Sequence, residues 1–296
     1  MPWSSRGPGE CVKQKDSVTD VDLPAFIRAL GRAHGLDISP YDELFLLKSI
    51  DRGRLTAGDR TIAAYADRLA GCREEAEAFC QSLRIAYSEF FRDPLAFAVL
   101  EQSILPSLAA GKAKSSCREI RVWSAGCAAG QEAWSVAILL DELSSTLPQP
   151  LPYRIFATDL PGPDLDVARS GIYSPDAVGN VRLRHLRTHF SRKGESYSIL
   201  PRLRDRMEFS AYDLLDENSA SPATSIYGDF DLILCCNLLF YYRPPVRTRV
   251  LAKICRALAP GGYLVTGEAE REIVGRQSGL RPLVPDASVF QAKGRP

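Results

Sequence analysis

Four polar side chains with donor- or acceptor-rich ends follow apolar runs in this chain: Glu132, Asp159, Asp213 and Asn237. The first lies just past a small-residue turn, Gly126-Cys127-Ala128-Ala129-Gly130, between a strand-like run and the helix-like run Val136 to Leu140. Strand, glycine turn and helix, in that order, open a nucleotide-binding α/β domain. Glycine serves there because the backbone must turn tightly and let a ligand approach without a Cβ in the way. A phosphate loop would need G-x-x-x-x-G-K-[ST], and the lysine is absent; a dinucleotide fingerprint would need a second glycine where Cys127-Ala128 stands. Glu132, in the first helical turn, would repel a pyrophosphate at the helix N-terminus and suits a cation. S-adenosylmethionine is such a ligand, with a sulfonium, an ammonium and no phosphate.

In an open α/β sheet the ligand sits beyond the carboxyl ends of the strands. Asp159 ends the second strand, where a carboxylate can accept both ribose hydroxyls. Tyr212-Asp213-Leu214 follows the third, near the place of an adenine amino group, and Cys236-Asn237-Leu238 follows the fourth, facing the methyl-donor end. The elements that must position these residues are strands at 119–124, 153–158, 207–210, 231–236, 262–266 and 288–292, with helices at 131–143, 165–170 and 246–258. Strands alternating with helices imply a parallel, doubly wound sheet. The last two strands lack a long helix between them and are expected to form an antiparallel hairpin at the sheet edge. Residues 173–205, rich in Arg and Lys, interrupt the alternation and read as an insertion. Upstream the pattern is helical: Leu23, Phe26, Ile27 and Leu30 share one face, Gly35 stops that helix, and further helices are expected at 41–54, 61–69 and 74–83.

The 296 residues suffice for one large domain or two modest ones, and the formal net charge of +1 gives no global pull toward nucleic acid or membrane. No secretory segment and no apolar run of bilayer length is read, and the eight cysteines show no C-x-x-C spacing, so a reduced, cytoplasmic protein is expected. The first 20 residues, rich in Gly, Pro, Ser and charge, are expected to be a disordered tail. His185 and His189 are spaced like a metal pair but have no third ligand nearby. They are read as a solvated helix face, and no metal is expected.

The residues also carry a family resemblance. Ser88-Glu-Phe-Phe-Arg92-Asp-Pro94, Val122-Trp-Ser-Ala-Gly-Cys127 with Gly130-Gln-Glu132, Ala157-Thr-Asp159, Ala168-Arg-Ser-Gly-Ile-Tyr173 and Phe230-Asp-Leu-Ile-Leu-Cys-Cys-Asn237 resemble, in order and spacing, the chemotaxis receptor methyltransferases, the CheR family. The resemblance runs from about Pro24 to Lys293. It implies a Rossmann-like class I methyltransferase domain over 109–296, with a small β-subdomain inserted at about 174–205. An all-α N-terminal domain and linker helix would cover 21–108. The implied reaction is methyl transfer from S-adenosylmethionine to glutamate carboxylates of a receptor or other signalling protein, by a monomer that neither binds nucleic acid nor inserts in a membrane.

Carried over residue by residue, the resemblance makes Ser88, Arg92, Gly126, Glu132, Asp159, Asp213, Leu214, Asn237 and Leu238 cofactor contacts. Arg92 and Tyr241 would line the transfer site. The chain departs from the family at Ala86 (usually Asn), at Cys236 (commonly Arg) and at Gly267-Glu-Ala-Glu270 (G-H-S-E). The family's basic second helix is thinned to Lys48, Arg52 and Arg54, with Ser49 and Gly53 at positions often basic. The donor side therefore reads as kept and the acceptor side as altered. Another protein or small-molecule acceptor, or a non-catalytic S-adenosylmethionine-binding regulator, stays open. Amino-methylation of nucleic acid is disfavoured, because Asn237-Leu-Leu-Phe-Tyr241 replaces the [DN]-P-P-[YFW] that such chemistry uses.

Overall fold

A computed structural model describes residues 22–293 except 223, 226 and 227; the tail expected at 1–20 lies outside the described residues. The chain divides into two compact units, one ending at Arg84 and one starting at Ile85.

Among the described residues, the first unit holds four helices, α1 (Leu23–His34), α2 (Glu43–Ala57), α3 (Ile62–Gly71) and α4 (Arg73–Ser82). Asp22, Asp42 and Thr61 cap the first three by accepting backbone N–H bonds. Gly35 ends α1 in the left-handed region, as its position in the sequence implied. Phe26, Tyr65 and Phe79 meet edge-on or tilted in a core with Leu30, Leu46, Ile50 and Leu69. The positions on α2 where basic residues are missing turn inward. Ser49 is buried, and a Cβ on Gly53 would stand 2.4 Å from the Tyr65 hydroxyl. Arg54 is committed to its own unit: it pairs with Asp51 at 2.6 Å and donates to the carbonyls of Asp59 and Arg60. Of the three basic residues singled out on this helix, Lys48 and Arg52 are exposed.

The second unit opens with α5 (Pro94–Val99), a π-helical turn at Leu100–Ile104 and α6 (Leu105–Ala113). Together they form a helix, Pro94–Ala113, long and apolar enough to cross a membrane by length and composition, where no such run was expected. Its Phe97, Leu100, Ile104 and Leu105 are buried in the core of this unit, which accounts for the apolar composition. The same packing places the unit boundary at Arg84, whereas the sequence reading carried the helical domain and linker to 108.

There follow β1 (Ile120–Ala125), α7 (Gln131–Thr146), β2 (Tyr153–Asp159), α8 (Pro163–Ser170), β3 (Ile172–Tyr173), α9 (Leu183–His189), β4 (Phe190–Lys193), β5 (Ser196–Ile199), α10 (Pro201–Arg204) and β6 (Met207–Ala211). The chain ends with β7 (Phe230–Cys235), α11 (Pro244–Ala257), β8 (Leu258–Thr266), α12 (Arg271–Gly275), β9 (Leu280–Pro282) and β10 (Val289–Ala292). The main sheet has the order β6-β2-β1-β7-β8-β10-β9. The first five strands are parallel, and β10 runs antiparallel to both neighbours. Strand order reverses at β1, so the carboxyl ends of β1, β2 and β7 meet at the switch point where such sheets bind ligands. The hairpin expected at the sheet edge is β8 with β10, but β9 pairs outside β10 and takes the edge. Three residues, Leu280–Pro282, were too short and too polar to read as a strand. The insertion is a separate sheet of order β3-β5-β4 with α9 beside it.

Trp123 on β1 and Trp134 on α7 are fully buried, and each indole N–H has a partner: Thr158 Oγ1 at 2.9 Å and the Ala168 carbonyl at 3.2 Å. Truncating either would cost about 3–5 kcal/mol, the usual scale for a large aromatic in a packed core. His185 and His189 are also buried, so the solvated-face reading of that pair is corrected. Their face of α9 packs on Asp141 and Glu142 of α7, whose carboxylates partner the imidazoles and let two polar rings sit inside.

Candidate active site

The glycine turn after β1 is tied to β2. The amides of Gly126 and Cys127 both donate to the Thr158 carbonyl, at 2.8 and 2.9 Å, and the Ala128 amide donates to Asp159 Oδ2 at 2.6 Å. Gly126, Ala128 and Gly130 all have positive φ. At Gly130 a Cβ would stand 2.8 Å from the Ala168 Cβ, so only glycine fits between the turn and α8. At Gly126 a Cβ would come within 3.3 Å of Leu238 Cδ2, which places the two residues across the same crevice. Tyr173, from the insertion, donates its hydroxyl to the Ala129 carbonyl at 2.8 Å. In the sequence this tyrosine shows no role beyond its place in the motif Ala168-Arg-Ser-Gly-Ile-Tyr173.

Glu132 lies in the first turn of α7, and its Oε1 accepts from Ser124 Oγ at 2.8 Å. Burial raises its pKa; hydrogen bonds from Cys236 and Ser124 and the charge of Arg92 oppose that rise, while Glu270 adds to it. A half-buried carboxylate in this state gains from a cation placed beside it. Asp159 ends β2. One oxygen holds the turn and the other accepts from the Leu160 amide at 2.7 Å. The N-cap of α8 is Gly162, so Asp159 does not cap that helix. The Tyr212 amide bonds the Asp159 carbonyl at 2.9 Å, which brings the Asp213-Leu214 loop beside the acid. Asp213 is exposed and caps the Leu215 amide, while Leu214 is buried.

Asn237 follows β7 with φ 58°. Glu270 supports this bend. Buried completely, it accepts from the amides of Asn237 (2.8 Å) and Gly267 (3.1 Å), from the Thr266 hydroxyl (2.8 Å) and from the Leu239 amide. The sequence showed Glu270 within a family motif but not that its carboxylate builds the loop carrying Asn237, Leu238 and Tyr241. Glu268 and Glu272 flank it, so the sequence offers no signal that singles out Glu270. Tyr241 is half-buried, and burial raises its pKa while Arg92 opposes. Arg92 itself is exposed. It donates to the Tyr87 carbonyl at 3.2 Å and lies 5.0 Å from the Tyr87 ring centroid. It is not turned into the core, and its charge opposes the rise in pKa at both Glu132 and Tyr241. Ser88 is half-buried four residues earlier. Cys236 sits against Glu132, and burial and that carboxylate hold its thiol protonated.

These residues fit S-adenosylmethionine: a half-buried acid for its cationic end, a carboxylate at the end of β2 for the ribose, and a glycine turn that admits close approach. Gln131 Oε1, at the first residue of α7, is moreover buried with no hydrogen-bond partner. The fold and site are thus those of a Rossmann-like S-adenosylmethionine-binding domain. The family description "CheR methyltransferase, SAM binding domain" matches residues 86–280, and the chain belongs to that family. A "Chemotaxis protein methyltransferase 1" of Pseudomonas aeruginosa is 37% identical over 185 residues, spanning 61% of this chain and 64% of that protein. A "Chemotaxis protein methyltransferase" of Listeria innocua is 30% identical over 263 residues, spanning 88% of this chain and 94% of that protein. An uncharacterized 104.1 kDa protein of Rhodobacter capsulatus is 31% identical over 79% of this chain, which spans 23% of its length.

Proposed function

We propose that this protein esterifies glutamate side chains of a chemoreceptor-like signalling protein. S-adenosylmethionine supplies the methyl group and a neutral leaving thioether. Glu132 faces the cationic end of the donor and Asp159 accepts from the ribose hydroxyls. Asp213 and Leu214 border the adenine, while Ser88, Gly126, Asn237 and Leu238 line the rest of the crevice. The acceptor glutamate is ionised at neutral pH, its unperturbed pKa being about 4.3, so no general base is needed. Arg92, beside Tyr241, grips the acceptor carboxylate through its planar fork and aligns an oxygen with the methyl carbon. A metal has no step to perform.

The observation that carries this reading is the crevice at the strand ends, where the glycine turn, Glu132 at the start of α7 and Asp159 at the end of β2 come together. The names of the Pseudomonas and Listeria relatives point the same way. The protein acts in the cytoplasm as a monomer, without nucleic acid and without entering a membrane. Incubation of candidate receptor fragments with labelled donor, followed by mass spectrometry, tests the reading: methyl esters on glutamate support it, and label confined to other residues overturns it.

One observation favours a second reading. Ser49 and Gly53 pack inward and Arg54 is engaged, so α2 offers Lys48 and Arg52 alone of the basic positions singled out. That is a weak attraction for an acidic helix and suits a different protein acceptor. The same experiment, with whole-cell protein as acceptor, separates the two.

A further inference from the structure

We propose that His185, in the insertion, is a positioning residue for Arg92 and acts on it through the ring of Phe91. This rests on the role of Arg92 proposed above. The imidazole of His185 and the ring of Phe91 are tilted by 33° with centroids 5.2 Å apart, and Phe97 meets the Phe91 ring edge-on at 5.2 Å. Phe91 holds a left-handed backbone, φ 53°, a conformation unfavourable for a residue with a Cβ. Such a conformation persists only where its surroundings over-determine it. Here they are the ring contacts and the Phe91 amide, which donates to Ser135 Oγ at 3.0 Å. The residue after this bend is Arg92, so the direction in which the arginine leaves the backbone depends on what holds the Phe91 ring. The neighbouring side chains tie the same segment to the insertion: Phe90 packs edge-on against Tyr173 and Phe190, and Asn180 donates to Glu89 at 3.4 Å.

His185 is held in turn. Its Nε2 lies 3.2 Å from Glu142 Oε2 and 3.1 Å from Arg184 Nε, while its Nδ1 is buried with no hydrogen-bond partner. The charged groups around it are Glu142 and Asp141 on α7, Arg182, Arg184 and His189 on or beside α9, Glu101 on the Pro94–Ala113 helix and Arg202 on α10. Three arginines face three carboxylates, a balance that holds while both imidazoles are neutral. A proton added to His185 would put a second N–H in the core without an acceptor and upset that balance. Burial accordingly lowers the pKa of both imidazoles, with Glu142 opposing at His185 and Asp141 at His189. Above the ordinary 6.5 both rings are neutral and the lock is intact; as pH falls below that value toward the lowered pKa values, protonation loosens it.

The test uses the full chain with His185→Ala and His185→Phe. The alanine variant removes the ring against Phe91, and kcat at saturating acceptor should fall about tenfold or more, since small misplacements of a positioning group have costs of that order. Donor affinity by calorimetry should change less than about threefold. The phenylalanine variant restores the ring and should recover most of kcat. A readout that needs no turnover is the side-chain Nε resonance of Arg92: in the native protein it should move as His185 titrates, and in His185→Phe that movement should vanish. Wild-type kcat in His185→Ala overturns the proposal. So does an Arg92 resonance indifferent to His185, and that result would stand even if methyl transfer to glutamate were not observed.

Discussion

The crevice beyond β1, β2 and β7 and the outer face of α2 are built on opposite terms. At the crevice, Asp159 holds the Ala128 amide and Glu132 accepts from the Ser124 hydroxyl, while the buried Glu270 behind it holds the loop after β7. On α2 the two exposed cations, Lys48 and Arg52, hold nothing else together. A residue that must satisfy a buried backbone group cannot be exchanged without cost to folding. An exposed charge can be lost for a few tenths of a kcal/mol. The crevice proposed to hold the donor is therefore fixed by its own architecture, and the α2 face proposed to meet an acceptor is free to change.

Five experiments break or sharpen this contrast. The largest effect is expected at Glu270, where replacement by Ala leaves three amides and a hydroxyl without their acceptor. At about 1–3 kcal/mol for each buried unpaired group, and with incomplete additivity, a loss of more than ~3 kcal/mol is expected. Denaturant melts would show it, together with loss of donor binding; a melt like that of the native chain would mean that the carboxylate is not holding the loop. Next is Arg92→Lys, which should leave the melt unchanged and lower kcat by about 100-fold, because an ammonium cannot reproduce the planar fork. Near-normal kcat would make Arg92 a plain surface charge.

Glu132 makes a prediction in pH. Its folded pKa is raised, so the carboxylate needed by a cationic donor begins to be lost, as pH is lowered, above the ordinary 4.5. S-adenosylmethionine affinity should fall through that range, and Glu132→Gln should bind weakly with little pH dependence. An affinity flat in pH for the native protein would sever Glu132 from the cation. On α2, replacing Lys48 and Arg52 together by Glu should slow transfer to an acidic receptor helix about tenfold at low salt, chiefly through the association rate. The native rate should fall as salt is added, since exposed charges are screened over about 8 Å at physiological ionic strength. A rate indifferent to salt and to reversal would give the acceptor a different docking surface. The smallest effect is expected from Arg54→Ala. It should cost about 0.5–1.5 kcal/mol of stability, the worth of the bonds to Asp59 and Arg60, and leave the salt dependence of transfer as it was.

What could be read from the sequence follows the same division. The strands that end at Asp159 and before Asn237 are apolar, of ordinary length and followed by helices, so their ends could be located to within a residue. Gly126 and Gly130 announced the turn because no other residue type takes that backbone against α8 and Leu238. Short and polar elements escaped: β9 has three residues, and α12 only five. The histidine pair was misread because helical spacing tells which residues share a face but not what that face meets. Asp141 and Glu142, more than forty positions away, make it an interior one. Glu270 was similarly opaque, since its four donors come from two separate segments.

A single calorimetric series goes most directly to the division between a built donor side and a free acceptor face: S-adenosylmethionine binding to the native chain, to Asp159→Ala and to the Lys48→Glu/Arg52→Glu pair. Asp159→Ala should weaken binding by ~1–3 kcal/mol, the scale for losing a charge-assisted hydrogen bond, while the α2 pair should bind the donor as the native chain does. Unchanged affinity in Asp159→Ala, or a donor affinity that falls with the α2 charges, would contradict it.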